Sequence, residues 1–283
     1  MNHSLSSALV SMQSMQKKLD IISNNIANLN TAGYKSQQAS FQDVLTSVYQ
    51  QPETFGREGR LTPLGFTQGG GVKLGVVSTD MTQGSLQETG NELDLAIQGD
   101  GLFEIERDSA ANGGNPIVGW TRGGAFQLSP NPADEQFLFL TTKQGQFVRG
   151  VNNLPIMVPR DRSIRIDEDG TVWSVNPADS SDIQEAGQLK LVRVNRPDVL
   201  LQEGEGIYAL PEGVNAEEVF TLNAPLAQGG FPVTVRQGFL EQSNVNITEE
   251  MTQLIAVQRA YQLTARAISS SDTMMSLTNN LRA

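Results

Sequence analysis

LSSALVSMQSMQKKLDIISNNIANL, residues 5–29, decides how this chain is read. Positions 5, 8, 12, 15, 19, 22, 26 and 29 alternate steps of three and four, and they hold Leu5, Ala8, Met12, Met15, Leu19, Ile22, Ile26 and Leu29. Every one is apolar. Steps of three and four return to one face of a helix, so the segment predicts an amphipathic helix with a coiled-coil-like seam over about four heptads. No Pro or Gly interrupts it before Gly33, and Asn30-Thr31-Ala32-Gly33 reads as a helix stop.

The other end of the chain repeats the pattern. Asn246 is suited to cap a helix, with Glu249 three residues later, and Glu249 and Glu250 match the positive end of the helix dipole. From Ile247 the spacing predicts a seam through Met251, Leu254, Gln258, Tyr261, Ala265, Ile268, Asp272 and Met275, widened by Ile255 and Leu281. A helix over 248–281 would be about 50 Å long at 1.5 Å per residue. The polar seam positions Gln258 and Asp272 are expected to set register at some cost in stability. Two helices bury one seam between them, yet Ile21, Ile255, Val257 and Met274 lie off it and need other partners. Two readings stand here: the helices pair with each other and cap a globular domain, or they join an intermolecular bundle.

Between the ends the periodicity changes. Residues 50–75 contain Pro52, Pro63 and seven glycines, and they read as a connector. Gly69-Gly70-Gly71 lacks the Lys-Ser/Thr that a phosphate loop requires. From about 76 to 238 short apolar runs are broken by turn residues. Leu93, Leu95 and Ile97 alternate, as do Phe103 with Ile105 and Ile164 with Ile166, and Asp169-Gly170 predicts a hairpin before Thr171–Val175. Gln188–Arg196 and Pro232–Arg236 read as further strands. The expected class is α+β: long N- and C-terminal helices forming a coiled-coil-like α domain, with an all-β middle domain, an irregular sandwich or barrel. The expected boundaries are 1–40 for the N-terminal helix, 41–78 for the connector, 79–238 for the β-rich middle and 239–283 for the C-terminal helix.

Composition narrows the function. The 283 residues include no Cys and one His, His3, which excludes disulfides, thiolate metal sites and thiol nucleophiles and leaves a catalytic triad little to work with. Carboxylate chemistry survives. Asp94, Asp100, Glu104 and Glu106 could supply a pair for glycoside hydrolysis, although acids on alternating strands more often form a solvated face. Asp167-Glu168-Asp169-Gly170 lacks the spaced ligands of a calcium loop and reads as a turn. Trp120 and Trp173 read as core. No catalytic residue, cofactor or metal is assigned. The net charge of −11 argues against a nucleic-acid footprint. That imbalance falls in the middle of the chain and leaves the ends near neutral, which favours the ends for packing among copies. With 19 Asn and 24 Gln, amides replace charges and suit hydrogen-bonded contact with protein. No apolar run approaches the ~18 residues of a membrane span, so no membrane insertion is expected. The start does not read as a cleaved secretory signal either.

Four blocks carry a resemblance. Ser23-Asn24-Asn25-Ile26-Ala27-Asn28-Leu29-Asn30-Thr31-Ala32-Gly33-Tyr34-Lys35 resembles the N-terminal signature of the flagellar axial proteins, the rod, hook and junction subunits. The run from Gly84 to Phe103 resembles their central motif, and Trp120-Thr121-Arg122-Gly123-Gly124-Ala125-Phe126 their Thr-Arg-x-Gly-x-Phe element. Gly238 to Met275, with Ser243-Asn244-Val245-Asn246 and Gln258-Arg259-Ala260-Tyr261, resembles their C-terminal helix signature. Length and the Ser-Asn-Val-Asn ending are most like a basal-body rod subunit, and the connector favours the distal rod over the proximal. Leu102 and Trp120 replace the usual Phe and Tyr, keeping bulk.

The resemblance implies a non-enzymatic subunit exported uncleaved by the flagellar type III apparatus to the basal body, outside the cytoplasmic membrane. It also implies partners: further copies of itself in an open helical homo-oligomer, other rod and hook subunits, and the export apparatus. The expected assembly surface is Leu5, Met12, Met15, Leu19, Ile22, Asn24, Asn25, Ile26, Asn28, Leu29, Met251, Leu254, Gln258, Tyr261, Ala265, Ile268 and Met275. Asn24, Asn25, Asn28 and Gln258 would supply amide bonds between copies. A hook or junction subunit is the neighbouring alternative. From other classes, a cell-wall glycan hydrolase and a secreted β-rich binding module with a helical stalk remain.

Overall fold

The computed structural model describes residues 2–43, 47–49, 66–68, 71–107, 117–131, 136–177, 182–204, 206–211, 213–222 and 233–282. The chain has N- and C-terminal helices around a mostly β middle, and it divides into two units. The first comprises Met1–Ala27, Gln37–Ser78 and Asn246–Ala283; the second comprises Asn28–Ser36 and Thr79–Val245.

In the first unit the N-terminal helix spans Asn2–Ala27 and the C-terminal helix spans Ile247–Arg282. The second begins where the sequence predicts, because the Asn246 Oδ1 accepts the Thr248 N–H at 3.1 Å and caps the first turn. The Asn25 Nδ2 donates to Glu250 Oε1 at 3.0 Å, which sets the last turn of one helix beside the first turn of the other. Since the two pack along their lengths, they run antiparallel. Strand Gln37–Asp43 pairs with Val72–Thr79, and Ser47–Tyr49 pairs antiparallel with Phe66–Gln68. Ser14 fixes the N-terminal helix to this layer: its buried hydroxyl lies 2.9 Å from the Val10 carbonyl in its own helix and 2.9 Å from that of Val72. Of the connector expected over 41–78, residues 44–46, 50–65 and 69–70 lie outside the described residues, Gly69 and Gly70 among them.

The second unit holds a ten-stranded sheet. Its hydrogen-bonded path runs Met157–Pro159, Phe137–Thr142, Phe147–Val148, Gly101–Arg107, Ile117–Thr121, Ile207–Ala209, Leu201–Gln202. A three-stranded antiparallel sheet of Ser163–Ile166, Thr171–Val175 and Ile183–Gln188 contains the hairpin predicted at Asp169-Gly170, with Ile166 opposite Val172. Leu95–Gln98 pairs with Thr234–Gln237, and Leu86–Glu88 with Phe239–Glu241. None of these sheets closes into a barrel among the described residues. The main core gathers Leu95, Ile97, Phe103, Ile105, Phe126, Leu140 and Val235, with Phe103 edge-on to Phe126 at 5.1 Å. Leu102, between Phe103 and the turn, joins a second cluster with Tyr208 and Trp120, whose ring lies 4.3 Å from that of Phe220. The strand Gly101–Arg107 therefore buries side chains on both its faces, Phe103 and Ile105 on one and Leu102 and the ion-paired Glu104 on the other.

Candidate assembly surface

The C-terminal helix presents a different seam from the one its spacing predicts. Its covered positions include Leu254, Val257, Tyr261, Thr264, Ile268, Ser271 and Met275, again in steps of three and four, with Gln253, Ala260 and Ala265 half-buried beside them. Leu254, Tyr261, Ile268 and Met275 keep their predicted places and Ala265 is half-buried, but Gln258 and Asp272 are exposed, as is Met251. Val257, only 6% exposed, takes the seam position expected of Gln258. Gln258 and Asp272 thus face away from the partner helix and do not set its register.

On the other side of this helix, Ile247, Met251, Ile255, Leu263, Met274 and Leu277 are all exposed. At 100° per residue, each lies roughly 80–160° around the helix from Val257. The helix therefore has one apolar face that its neighbour covers and, spread over about half of its circumference on the other side, six exposed large apolar side chains set among Gln258, Arg259, Gln262 and Arg266.

Along the N-terminal helix Ile22 is buried, while Leu5, Ala8, Met12, Met15, Leu19 and Ile26 are half-buried. Asn24 is exposed. Asn25 is buried, and its amide works within the subunit. Its Nδ2 donates to the Gln37 carbonyl at 2.9 Å as well as to Glu250, and its Oδ1 accepts the Gln37 N–H at 3.0 Å. One side chain thereby ties the end of one helix, the start of a strand and the start of the other helix. The Glu250 Oε2 is buried without a hydrogen-bond partner among the described residues. Burial first, then the neighbouring Glu249, raise the Glu250 carboxyl above the ordinary range against the opposing Asn25 amide and Lys18 ammonium. Asn28 and Leu29, beyond the helix end, are half-buried in a turn of the second unit, where Thr31 Oγ1 donates to Asn28 Oδ1 at 3.2 Å. That turn ends at Gly33, with φ +72°; a Cβ there would lie 2.5 Å from the Arg122 carbonyl carbon. Glycine is required both for the backbone angle and for the close approach.

The second unit contains a buried ionic node that the spacing analysis missed. Glu241 Oε1 accepts from Lys35 Nζ at 2.7 Å and from the Gly84 N–H at 2.8 Å, and Oε2 accepts from Arg122 Nε at 2.5 Å. Lys35 also donates to the Thr82 carbonyl, and Arg122 to those of Gly101 and Ile97. The Lys35, Arg122 and Glu241 side chains are at most 2% exposed. Two cations share one carboxylate. Burial, and next the Arg122 guanidinium, hold the Lys35 ammonium below its ordinary range despite the pull of Glu241. The Gly33 N–H donates to the Glu241 carbonyl, and the Ser36 N–H to Asn244 Oδ1. All four resembling blocks meet here. The available signal was Lys35 and Arg122, each the single charge of its block; Glu241 is one of six charged residues between Gly238 and Met275 and carried no such mark.

Three of the four carboxylates considered for hydrolysis, Asp94, Glu104 and Glu106, have structural duties. Asp94 accepts the Thr89 hydroxyl at 2.7 Å, and buried Glu104 pairs with Arg149 at 2.9 Å and Lys190 at 3.0 Å. Glu106 also approaches Arg149, at 3.6 Å. Trp173 is half-buried, and its Nε1 donates to Asp167 Oδ2 at 2.7 Å, so part of the acidic turn orients an indole.

Three family profiles match in chain order: flagella basal body rod protein over residues 6–35, flagellar hook protein FlgE/F/G D1 domain over 96–174, and flagellar basal body rod FlgEFG protein C-terminal over 236–281. The flagellar basal-body rod protein FlgG of Caulobacter vibrioides is 35% identical, covering 99% of each chain, and that of Borreliella burgdorferi is 33% identical, covering 100% of this chain and 99% of its own. The chain belongs to the flagellar basal-body rod family. A further relative, the flagellar hook-basal body complex protein FlhP of Bacillus subtilis, is 32% identical over the full length of both chains. As a member of the rod family the chain is a structural subunit and not an enzyme, and it assembles with other flagellar axial subunits. Among the described residues no helix is long and apolar enough to cross a membrane.

Proposed function

We propose that this rod subunit polymerises through its terminal helices into a hollow shaft of the distal rod, which transmits torque and passes later subunits outward. In this reading residues 1–40 and 239–283 form a coiled-coil-like axial domain, 41–78 connect it to the middle, and 79–238 form an outer β domain of irregular sandwich type. The subunit leaves the cytoplasm uncleaved through the flagellar export apparatus and joins further copies of itself in an open helical array.

The two-faced C-terminal helix carries this proposal. A helix paired inside one molecule needs one apolar face. This one has a second face bearing Ile255 at 50% exposure and Leu263 at 64%, over a length of about 54 Å at 1.5 Å per residue. Fully burying a Leu, Ile or Met side chain contributes roughly 1.5–3 kcal/mol; the six are about half exposed, so covering the remainder contributes roughly 5–9 kcal/mol, within the range of about 4–15 kcal/mol that immobilising a subunit costs. The exposed Asn24 on the N-terminal helix and Gln258 on the C-terminal helix supply amide contacts between copies.

The test compares Ile255→Asp with Val257→Asp in the full chain, using sedimentation and electron microscopy at concentrations where the parent forms filaments. Ile255→Asp is expected to keep the parent's helical content and remain monomeric, whereas Val257→Asp loses helix content as well. Filaments of parental length from Ile255→Asp would refute the second face as an assembly surface.

A further inference from the structure

The six exposed apolar side chains of the C-terminal helix do not form one stripe. At about 100° per residue, Ile247, Met251 and Ile255 lie roughly 80–160° to one side of Val257, whereas Leu263, Met274 and Leu277 lie roughly 100–160° to the other. The two groups also differ in height. The first occupies about 12 Å at the N-terminal end of the helix; the second begins about two turns further on and runs for about 21 Å. Each side is polar where the other is apolar. Beyond Ile255 the first side continues through exposed Gln258, Gln262, Ser269 and Thr273, and ahead of Leu263 the second carries exposed Thr252, Ala256 and Arg259.

One partner helix cannot follow both groups. A coiled-coil partner tracks a stripe that drifts backwards by about 20° per heptad, because seven residues fall short of two full turns. From Met251 to Met274 that drift is about 65° backwards, whereas the exposed positions advance by about 140°. A closed pair does not account for them either, since a two-fold contact through one patch leaves the other bare.

Charge and family indicate the occupant. The first unit is near neutral, with 8 Lys and Arg against 7 Asp and Glu, and neither patch contains a charged side chain; Arg259 and Arg266 stand between them, opposite Val257. A like surface approaches such patches without Coulombic cost, and a strongly charged partner finds nothing to match. As a rod-family subunit the chain assembles with other axial subunits. In an open array of identical subunits each copy meets neighbours through unlike surfaces, and two patches at two heights supply them.

We propose that the two patches receive two different copies of this chain, one against residues 247–255 and another against residues 263–277. This rests on the polymer reading above and specifies which part of the helix meets which neighbour. Three side chains fall far short of the roughly 1,200 Å² buried in a stable interface, so the two contacts hold a subunit only together.

The test replaces Met251 and Met274, singly and together, by a photoreactive diazirine residue of similar size in the full chain. Labelled chains are diluted into a large excess of parent chains, assembled and illuminated. Each single label is expected to give two-chain products, and the double label three-chain products. Two-chain products alone from the double label would overturn the assignment, because one neighbour would then cover both patches. Absence of an intermolecular product from either single label, in filaments that contain the labelled chain, would overturn it as well. Both of those results leave the polymer reading standing, whereas failure of the parent chain to form filaments would sink the two together.

Discussion

Replacing Glu241 by Gln tests the buried node most directly. The substitution keeps shape and hydrogen-bonding reach but removes the one negative charge between Lys35 at 2.7 Å and Arg122 at 2.5 Å, neither of which can reach water. Removing one member of a buried ion pair costs about 3–5 kcal/mol, because the remaining charge is stranded. Here two cations are stranded, so the upper part of that range is expected. Lys35→Met is the counter-experiment. It leaves Arg122 and Glu241 as a balanced pair and removes a charge that burial already disfavours, so its cost is expected near or below about 1 kcal/mol. Both tryptophans, Trp120 and Trp173, lie in the second unit, and urea unfolding followed by their emission reports that unit alone. Alkaline pH supplies an internal check. The folded-state pKa of Lys35 is lowered, so its contribution to stability is fully present above the unfolded value of 10.5 and is lost as pH falls through the folded value. The parent should therefore gain stability relative to Lys35→Met as pH is raised from 7 towards 10. The account of the node fails if Glu241→Gln costs under about 1 kcal/mol, or if Lys35→Met costs as much as Glu241→Gln.

Two further substitutions probe the ends of the helices. Glu250→Gln imitates the protonated carboxyl: the raised folded-state pKa means that the native contribution of Glu250 is present below its unfolded value and is lost as pH rises through the folded one, so the variant should make the C-terminal helix more resistant to proteolysis at pH 7 and equal to the parent near pH 4. Parental digestion rates at both pH values would argue against it. Gly33→Ala forces a Cβ to within 2.5 Å of the Arg122 backbone at a φ of +72°, and should destabilise the second unit by more than about 2 kcal/mol in the tryptophan assay, with no effect expected if the turn relaxes freely.

Helices at both ends were legible because steps of three and four repeat over many turns, and a cap such as Asn246 leaves a local mark. The choice between Val257 and Gln258 was not. Leu254, Tyr261, Ile268 and Met275 recur every seven residues and fit a seam that steps by three or by four. The intervening Thr264 and Ser271, or Ala265 and Asp272, are too small or too polar to break the tie. Only the partner helix decides, by covering Val257. The β middle was legible as a class from alternation at Leu95 and Ile97 and from the Asp169-Gly170 turn. Its sheet order was not, because the Leu102–Val192 and Phe103–Leu191 pairings join residues about ninety positions apart with no local signal. The node was hidden for a related reason: Lys35, Arg122 and Glu241 are single charges separated by long stretches of chain, and composition counts them as surface.

The division of charge explains why one chain can carry so much bare apolar helix. The first unit holds 8 Lys and Arg against 7 Asp and Glu, so the entire imbalance of the protein resides in the second. Near-neutral helices can approach their copies at close range without Coulombic penalty, whereas unscreened acidic units repel and favour wide separation. Screening should therefore act selectively. At about 0.15 M salt the Debye length is near 8 Å, which weakens repulsion between β units and leaves helix burial untouched. If the helices drive assembly and the β units oppose it, raising salt from about 0.01 M to 0.15 M should lower the concentration at which filaments form, and Ile255→Asp should abolish filaments at both ionic strengths. Assembly that weakens as salt is raised would mean that ion pairs rather than apolar burial hold the copies together, and the two-faced helix would then need another explanation.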